Sequence, residues 1–374
     1  MHVGLIIDSL IPNGAQIVVQ ELATGLSDRG NQVTLFYYHN YNGQAPSIAD
    51  KVNAHGVRTE WICGPNRTPR KYVAGIDAVR TVHKLRKMGI DIVNVHTWEA
   101  AYSLHVTTYL PRDLPVVVTH HGTKICNRDR SSMNWIHLGV NSQYRYEYED
   151  RDDNDRCSTI DIGIDKETLD RCIVSKEQAR KQLDLNTDRP VMLTIGRCSK
   201  HKGCDIWMEV VKRLDAKYHN LFKYVFVGAD NRGPYYTNMV ELGKNYNDVI
   251  LKPTLPHEEV IRWICASDLL LVPSRTESFA VKAVEALYCG RPVITHYLGV
   301  LLDIILDGVN GKIVNYMDIN ALTNAAAEWL VHPRVVKANI PEKYFASTMV
   351  DRYEKCFREL LNRKHSCKSF LNTW

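Results

Sequence analysis

Four stretches of the sequence carry side chains suited to chemistry, and each follows an apolar run. The most basic is Gly196-Arg197-Cys198-Ser199-Lys200-His201-Lys202-Gly203. A guanidinium offers a fork of donors to phosphate oxygens and an ammonium offers a compact charge. Arg197 and Lys202, at the two ends of one loop, can therefore converge on a diphosphate; the alternative is a solvated basic turn. The order GxxxxGK(S/T) is absent, so this is no Walker loop. The second stretch is Pro273-Ser274-Arg275-Thr276-Glu277-Ser278-Phe279-Ala280, running into an apolar helical segment that contains Glu285. Glu277 and Glu285 stand eight apart, about two helical turns, which places them on one face with Glu277 at the helix mouth. Carboxylates accept hydrogen bonds from paired hydroxyls, as a sugar ring and a ribose present them. The amides after Glu277, those of Ser278, Phe279 and Ala280, open a helix and can cradle phosphate. The competing reading makes Glu285 a buried cap for a neighbouring loop and Glu277 a charge stabilised by the helix dipole.

The third stretch follows the first strand: Asp8-Ser9-Leu10-Ile11-Pro12-Asn13-Gly14-Ala15-Gln16. A glycine at a helix start lets backbone approach an anion, although GxGxxG is missing and a dinucleotide site of that kind is not supported. A tight strand-to-helix turn explains the residues equally well. The fourth is Thr119-His120-His121-Gly122 at a strand end. Adjacent residues on a strand point to opposite faces, and no third metal ligand stands nearby. One histidine hydrogen-bonding a sugar or diphosphate is the functional reading, and a structural histidine the other.

The elements that must position these loops alternate along the chain. Apolar runs at 3–7, 33–37, 90–95, 116–119, 191–195, 223–227, 249–252, 269–272 and 292–295 read as strands. Helical periodicity marks 15–28, 80–88, 205–214, 235–246, 257–266, 279–288, 321–330 and 349–361. Strands alternating with helices mean parallel sheets covered on both faces. A polar, charged stretch at 144–155 and the segment Gly163-Ile164-Asp165 interrupt the alternation, which predicts two doubly wound Rossmann-like α/β domains, 1–165 and 166–346. The last helix, in 347–374, is expected to return to the first domain, with a loose tail. Ligands of such sheets sit outside the carboxyl ends of the strands, where all four stretches lie.

Bulk properties narrow the class. The 374 residues carry 47 basic and 42 acidic side chains, a net charge of +5 that suits anionic ligands without demanding nucleic acid. The ten cysteines have no CxxC spacing, which reads as reduced thiols and not a zinc site. The N-terminus lacks a basic n-region and a cleavage signal, and no 18-residue apolar stretch occurs. A cytoplasmic location is expected.

The four loops in this order resemble glycosyltransferase family 4, retaining enzymes of the GT-B fold. The likeness includes Asp91-Ile92-Val93-Asn94-Val95-His96, Ile162-Gly163-Ile164-Asp165, Val227-Gly228, Gly290-Arg291-Pro292-Val293-Ile294 and Asp307-Gly308-Val309-Asn310-Gly311. It implies two domains facing across a cleft, the first for the acceptor and the second for a nucleoside-diphosphate sugar. It further implies a metal-independent, same-face transfer to an acceptor hydroxyl of a glycan, lipid, small molecule or modified base, with no cofactor. By position, Arg197 and Lys202 would bind the donor diphosphate. Glu277 with the amides of Ser278 and Phe279 would hold the sugar, and Glu285 the ribose. His121 would contact the sugar, Gly14 and Ala15 would sit near the diphosphate, and Ala280 would complete the donor loop. The catalytic set is then His121, Arg197, Lys202 and Glu277.

The chain departs from the family pattern in two places. Ala280 stands where glycine is usual, and Gly299-Val300-Leu301-Leu302-Asp303 replaces Gly-Gly-x-x-Glu. Asp153-Asn154-Asp155 matches the metal-binding DxD signature but lies in a charge run at a domain boundary, away from any core strand. Arg67, Arg70, Lys71, Arg80, Lys84, Arg86 and Lys87 form either a solvated helix face or a peripheral contact for an anionic membrane. Acceptor recognition falls to residues 40–49, 64–72 and 124–135. The rival readings are a nucleotide-sugar epimerase or phosphorylase, an inactive nucleotide-sugar-binding partner subunit, and a protein whose acceptor is nucleic acid.

Overall fold

A computed structural model describes residues 1–10, 14–39, 48–62, 74–96, 110, 114–121, 135–139, 157–229, 233–298, 301–337 and 339–371. Asn13, Gly122, the stretch 144–155 with its DxD match, Gly299-Val300 and most of the three acceptor loops lie outside the described residues. The chain divides into two compact units, Met1–Gly163 with Lys343–Trp374, and Ile164–Glu342.

Unit 1 contains β1 (His2–Ser9), α1 (Gly14–Asp28), β2 (Gln32–His39), α2 (Ile48–Ala54), β3 (Arg58–Trp61), α3 (Ala74–Lys87), β4 (Ile92–His96), β5 (Val116–His120), β6 (Trp135–Gly139) and β7 (Cys157–Thr159). The strands form one sheet in the order β3-β2-β1-β4-β5-β6-β7, every pair parallel. Parallel strands buried on both faces need near-continuous apolar runs. Val3 to Ile7 and Ile92 to Val95 supply them, with only Gly4 and Asn94 interrupting. The strand expected from residue 90 begins at Ile92 because Asp91 belongs to the turn. Its amide donates to His2 O, and its carboxylate accepts from the His2 amide at 2.7 Å.

Unit 2 contains α4 (Lys166–Cys172), α5 (Lys176–Gln182), β8 (Val191–Ile195), α6 (Cys204–Lys217), β9 (Lys223–Val227), α7 (Pro234–Asn245), β10 (Val249–Lys252), α8 (His257–Ala266), β11 (Leu269–Val272), α9 (Val281–Tyr288), β12 (Val293–His296), β13 (Gly311–Val314) and α10 (Ile319–Val331). Its parallel sheet runs β10-β9-β8-β11-β12-β13. Trp207, Trp263 and Trp329, from α6, α8 and α10, are buried in its core. Both units are thus Rossmann-like and doubly wound, the architecture of the GT-B fold. The short helices α4 and α5 escape periodicity analysis but are written in caps: Asp165 accepts from the Thr168 amide, and Ser175 with Gln178 forms a capping box.

The last helix, α11 (Ala346–Leu371), is longer than the periodicity at 349–361 suggests and runs through the segment read as a loose tail. Two glycines let it dock in unit 1. A Cβ on Gly25 would lie 2.7 Å from Val350 Cγ2, and one on Gly163 would lie 2.3 Å from the Ala346 amide. Asn31 donates to Glu354 at 3.1 Å, and Tyr353 is buried beneath the helix.

Candidate active site

In both sheets the strand order reverses beside the first strand of the unit, at β1/β4 and at β8/β11. Ligands of open α/β sheets bind at such switch points. In unit 2 the loops leaving β8 and β11 are Gly196–Gly203 and Pro273–Ala280, the two stretches richest in charge. Glycine geometry brings them together. Gly203 has φ +67° and stands at the N-cap of α6, where a Cβ would lie 1.9 Å from Pro273 O. Gly228, at φ +105°, admits Gly196 O to within 2.3 Å of where its Cβ would be. Arg275 then ties the loops: its amide donates to His201 O at 2.8 Å, and its guanidinium forks onto Asp205 with both contacts at 2.7 Å.

Held in this way, Lys202 Nζ lies 2.7 Å from both carboxylate oxygens of Glu277, and Ser274 Oγ donates to Oε1 at 2.6 Å. The pair is only partly buried, with side-chain exposures of 29% for Lys202 and 10% for Glu277, so an incoming ligand can compete for it. Beneath the loop, His296 at the end of β12 is buried and hydrogen-bonds Ser274 O through Nε2. Arg197 is exposed, and among the described residues its side chain has no hydrogen-bond or ion-pair partner. Phe279 and Ala280 are buried under the loop.

The two glutamates are not on one helical face, contrary to the expectation from their spacing. The helix starts at Val281, because Ala280 sits at its N-cap in the left-handed conformation, φ 56° and ψ 49°. Glu277 therefore belongs to the loop and Glu285 to α9. Glu285 is 2% exposed and is clamped by His257 Nε2 at 2.9 Å and Lys282 Nζ at 2.8 Å. Burial alone would raise its pKa. The Lys282 and His257 charges and hydrogen bonds outweigh that and hold it down at about 2.

At the unit 1 switch point the groups are neutral. His121 is buried, with Nε2 2.9 Å from His96 Nδ1, and His96 Nε2 is 2.6 Å from Asn94 Oδ1. Asn94 Nδ2 donates to Val117 O at 3.1 Å and to Thr119 Oγ1 at 2.9 Å, and Thr119 meets Tyr353 of α11 at 3.2 Å. Burial pushes the His121 imidazole down to about 4 and the His96 imidazole well below its ordinary range. Gly14 opens α1 and Ala15 is buried behind it. Among the described residues, a Cβ on Gly14 would meet nothing within 4 Å. Gln16 donates to Asp8 Oδ1 at 2.8 Å, bracing the turn.

The structure thus gathers Lys202 and Glu277 with Ser274, sets Glu285 apart in its own clamp, and places His121 and Gly14 in unit 1. Sequence reasoning gave no role to Ser274, His257, Lys282, Asn94, His96, Tyr353 or His296. Ser274 at three residues before Glu277 and Lys282 at three before Glu285 carry a local signal. His257 is 28 residues from Glu285 and carries none. Among the described residues no group of three or more His, Cys, Asp or Glu could hold a metal ion, and no helix is long and apolar enough to cross a membrane.

Comparison with known proteins agrees with the fold. Residues 12–158 match the model of "Glycosyltransferase Family 4" and residues 175–343 that of "Glycosyl transferases group 1". A D-inositol 3-phosphate glycosyltransferase of Xylanimonas cellulosilytica is 26% identical over 341 residues, covering 82% of this chain and 80% of that protein. Among solved structures, a glycosyltransferase from Rickettsia africae ESF-5 superposes with TM-score 0.73 at 17% identity, covering 96% of this chain and 98% of that one. Anabaena HepE in complex with UDP and glucose gives TM-score 0.70 at 16% identity over 100% of both chains. The chain is a glycosyltransferase of the GT-B fold, related to family 4 through its first half and to the group 1 glycosyl transferases through its second.

Proposed function

We propose that unit 2 binds a UDP-sugar through the Lys202–Glu277–Ser274 cluster and that the sugar passes to an acceptor hydroxyl with retention of configuration. The cluster is the observation that carries this reading: a cation, a carboxylate and a hydroxyl meet, half-open, at a sheet switch point. Lys202 and the exposed Arg197 bind the diphosphate and stabilise the charge that develops on it as it leaves. Glu277 accepts hydrogen bonds from the sugar hydroxyls, beside the amides of Ser278 and Phe279 and the turn at Ala280. Glu285 receives the ribose hydroxyls at the rim of its clamp with Lys282 and His257. His121 contacts the sugar and Gly14 leaves room for the diphosphate. UDP is favoured because HepE is seen with it. Neither carboxylate is placed as a free nucleophile, since Glu277 is shared with Lys202 and Ser274 and Glu285 is buried. A double displacement needs such a nucleophile together with an acid, so same-face attack is the fitting course, the departing phosphate taking the acceptor proton. Unit 1 supplies the acceptor site, and the protein works in the cytoplasm. Lys84 is already tied to Glu60 and Trp61 O, so a membrane contact would rest on the other residues of the basic stretch.

The test is incubation with UDP-, GDP-, ADP- and dTDP-sugars in the presence of chelator, following release of nucleoside diphosphate. Slow hydrolysis of the UDP donor, abolished by Lys202→Ala and by Glu277→Ala, supports the reading. Release that requires added metal, or that survives both substitutions, removes it.

A further inference from the structure

We propose that His296 and Ser274 are positioning residues that keep the Glu277 carboxylate aimed at the donor sugar once Lys202 has turned to the diphosphate. The inference rests on the donor site proposed for unit 2 and lies wholly within that unit.

From Leu271 to Ser274 the chain leaves the sheet, and side chains take over where the ladder stops. β11 pairs with β8 as far as Leu270 opposite Leu193, and with β12 as far as Val272 opposite Thr295. At those limits Thr194 Oγ1 donates to Leu271 O and Thr295 Oγ1 to Val272 O, both at 2.9 Å. Pro273 O is seated against the start of α6, in the space that a Cβ on Gly203 would fill. His296 Nε2 then hydrogen-bonds Ser274 O. A carbonyl can only accept, so Nε2 carries a proton. Burial holds the His296 imidazole below its ordinary range, so at neutral pH the ring is neutral and Nδ1 is bare. Two successive side chains of β12 thus hold two carbonyls of the β11 exit. Thr194, Ser274, Thr295 and His296 are all buried. A carbonyl freed here would find no water, so the exit has no cheap alternative path.

The fixed backbone gives Ser274 a second task. Its hydroxyl donates to Glu277 Oε1 at 2.6 Å, while Lys202 Nζ lies 2.7 Å from both carboxylate oxygens. A diphosphate competes with Glu277 for that ammonium. When the ammonium turns, the Ser274 hydroxyl is the partner that stays, and it holds Oε1. Oε2 is then open to accept from a sugar hydroxyl. The last torsion of a glutamate is broad, so a carboxylate with neither partner would turn its plane. His296 touches no ligand in this scheme. It acts through the Ser274 peptide.

Kinetics of nucleoside-diphosphate release from the donor that the wild type hydrolyses give kcat. Calorimetry gives the Kd of the nucleoside diphosphate alone, which has no sugar for Glu277 to hold. Ser274→Ala should lower kcat about tenfold, the scale of a lost hydrogen bond to a charged group, and leave that Kd within about twofold. His296→Leu should lower kcat in the same sense. His296→Gln, whose amide can still donate to Ser274 O, should keep about half of the wild-type value. Equal losses of kcat and nucleotide affinity would make the two residues braces of the whole loop and overturn the proposal. An unchanged kcat in Ser274→Ala, or equal losses in His296→Leu and His296→Gln, would also overturn it. Nitrogen-15 spectra of the histidine-labelled wild type, with His296→Gln assigning the signal, need no donor. The expected ring is protonated at Nε2, and one protonated at Nδ1 alone overturns the proposal by itself. The expected ring in a protein that hydrolyses no donor removes instead the reading of unit 2 as a donor site, and the task of Glu277 with it.

Discussion

The two units share one topology and one reversal of strand order but furnish it in opposite ways. At the β8/β11 switch point of unit 2 the side chains are ions, partly open to solvent: Lys202 on Glu277, and Arg275 on Asp205 nearby. At the β1/β4 switch point of unit 1 they are neutral, buried and linked in series from Tyr353 to His121. Under the proposed function the contrast follows from what each would hold. A leaving diphosphate develops charge, and preorganised charge answers it. Hydroxyls carry no charge and are told apart by which partner donates, which a fixed neutral network specifies without the desolvation cost of an ion.

The largest effect should come from breaking the ionic side. Glu277→Ala leaves Lys202 without its carboxylate and removes the proposed sugar acceptor. Donor turnover should fall by about 10²–10³, the scale for removing one preorganised group. The neutral side should respond more weakly, so that His121→Gln costs about tenfold. Steady-state kinetics on the donor that the panel identifies compares the two, and equal losses would erase the distinction. Next in size is Gly203→Ala, which probes stability. Its Cβ would fall 1.9 Å from Pro273 O at a φ of +67°, so the two donor loops must part. A loss of about 3 kcal/mol is expected, as for other strained, clashing sites, read as a shift in the urea midpoint. Gly14→Ala, with no described atom within 4 Å of the new methyl, should leave that midpoint unchanged.

How much of this was legible in the sequence follows the same division. The central strands of unit 2 stand where their apolar runs place them, since strands buried on both faces are written as near-continuous apolar runs. Seven-residue helices such as α4 offer too few turns for periodicity, and α2 and β3 carry no strong apolar run, so only their contacts reveal them. Within the site, the basic loop and the Glu277 loop announce themselves by charge and glycine. The Glu277–Glu285 spacing misled because Ala280 adopts a left-handed turn that resets the helix, and a residue type does not declare its φ. The unit 1 network was the least visible. Asn94 and Thr119 each sit in an apolar strand, and their meaning comes from the β4/β5 register, which sets Asn94 opposite Val117 and His96 opposite Thr119.

Acid should separate the two regions by pH. Burial lowers the His121 imidazole from 6.5 to about 4. The folded chain then binds fewer protons than the unfolded one below pH 6.5, so its contribution is full above 6.5 and is lost as pH falls toward 4. Glu285, for which the Lys282 and His257 contacts outweigh burial, moves from 4.5 to about 2. Its contribution is present above 4.5 and is lost as pH falls toward 2. Each amounts to something on the order of 3 kcal/mol at its upper plateau. Urea unfolding at pH 8, 5.5, 4 and 3 should show His121→Gln flattening the upper window and Glu285→Gln the lower. A variant that flattens the other's window would mean that the groups are misassigned.

The smallest effect tests the departure at Ala280. A left-handed backbone costs an L-residue about 1–2 kcal/mol, whereas glycine takes it freely. Ala280 holds that conformation at the N-cap of α9, between the loop that carries Glu277 and the helix that carries Glu285. Ala280→Gly removes the strain but also removes a buried methyl and loosens the unfolded chain. The net gain should be about 0.5–1 kcal/mol, seen as a higher urea midpoint with unchanged slope. A lower midpoint would show that the methyl packs tightly enough to outweigh the strain. The rigidity of the Glu277 loop would then depend on this alanine. In that case donor turnover should fall in Ala280→Gly while the acid window assigned to His121 stays as it was, which keeps the two switch points separable even where the perturbation is a single methyl group.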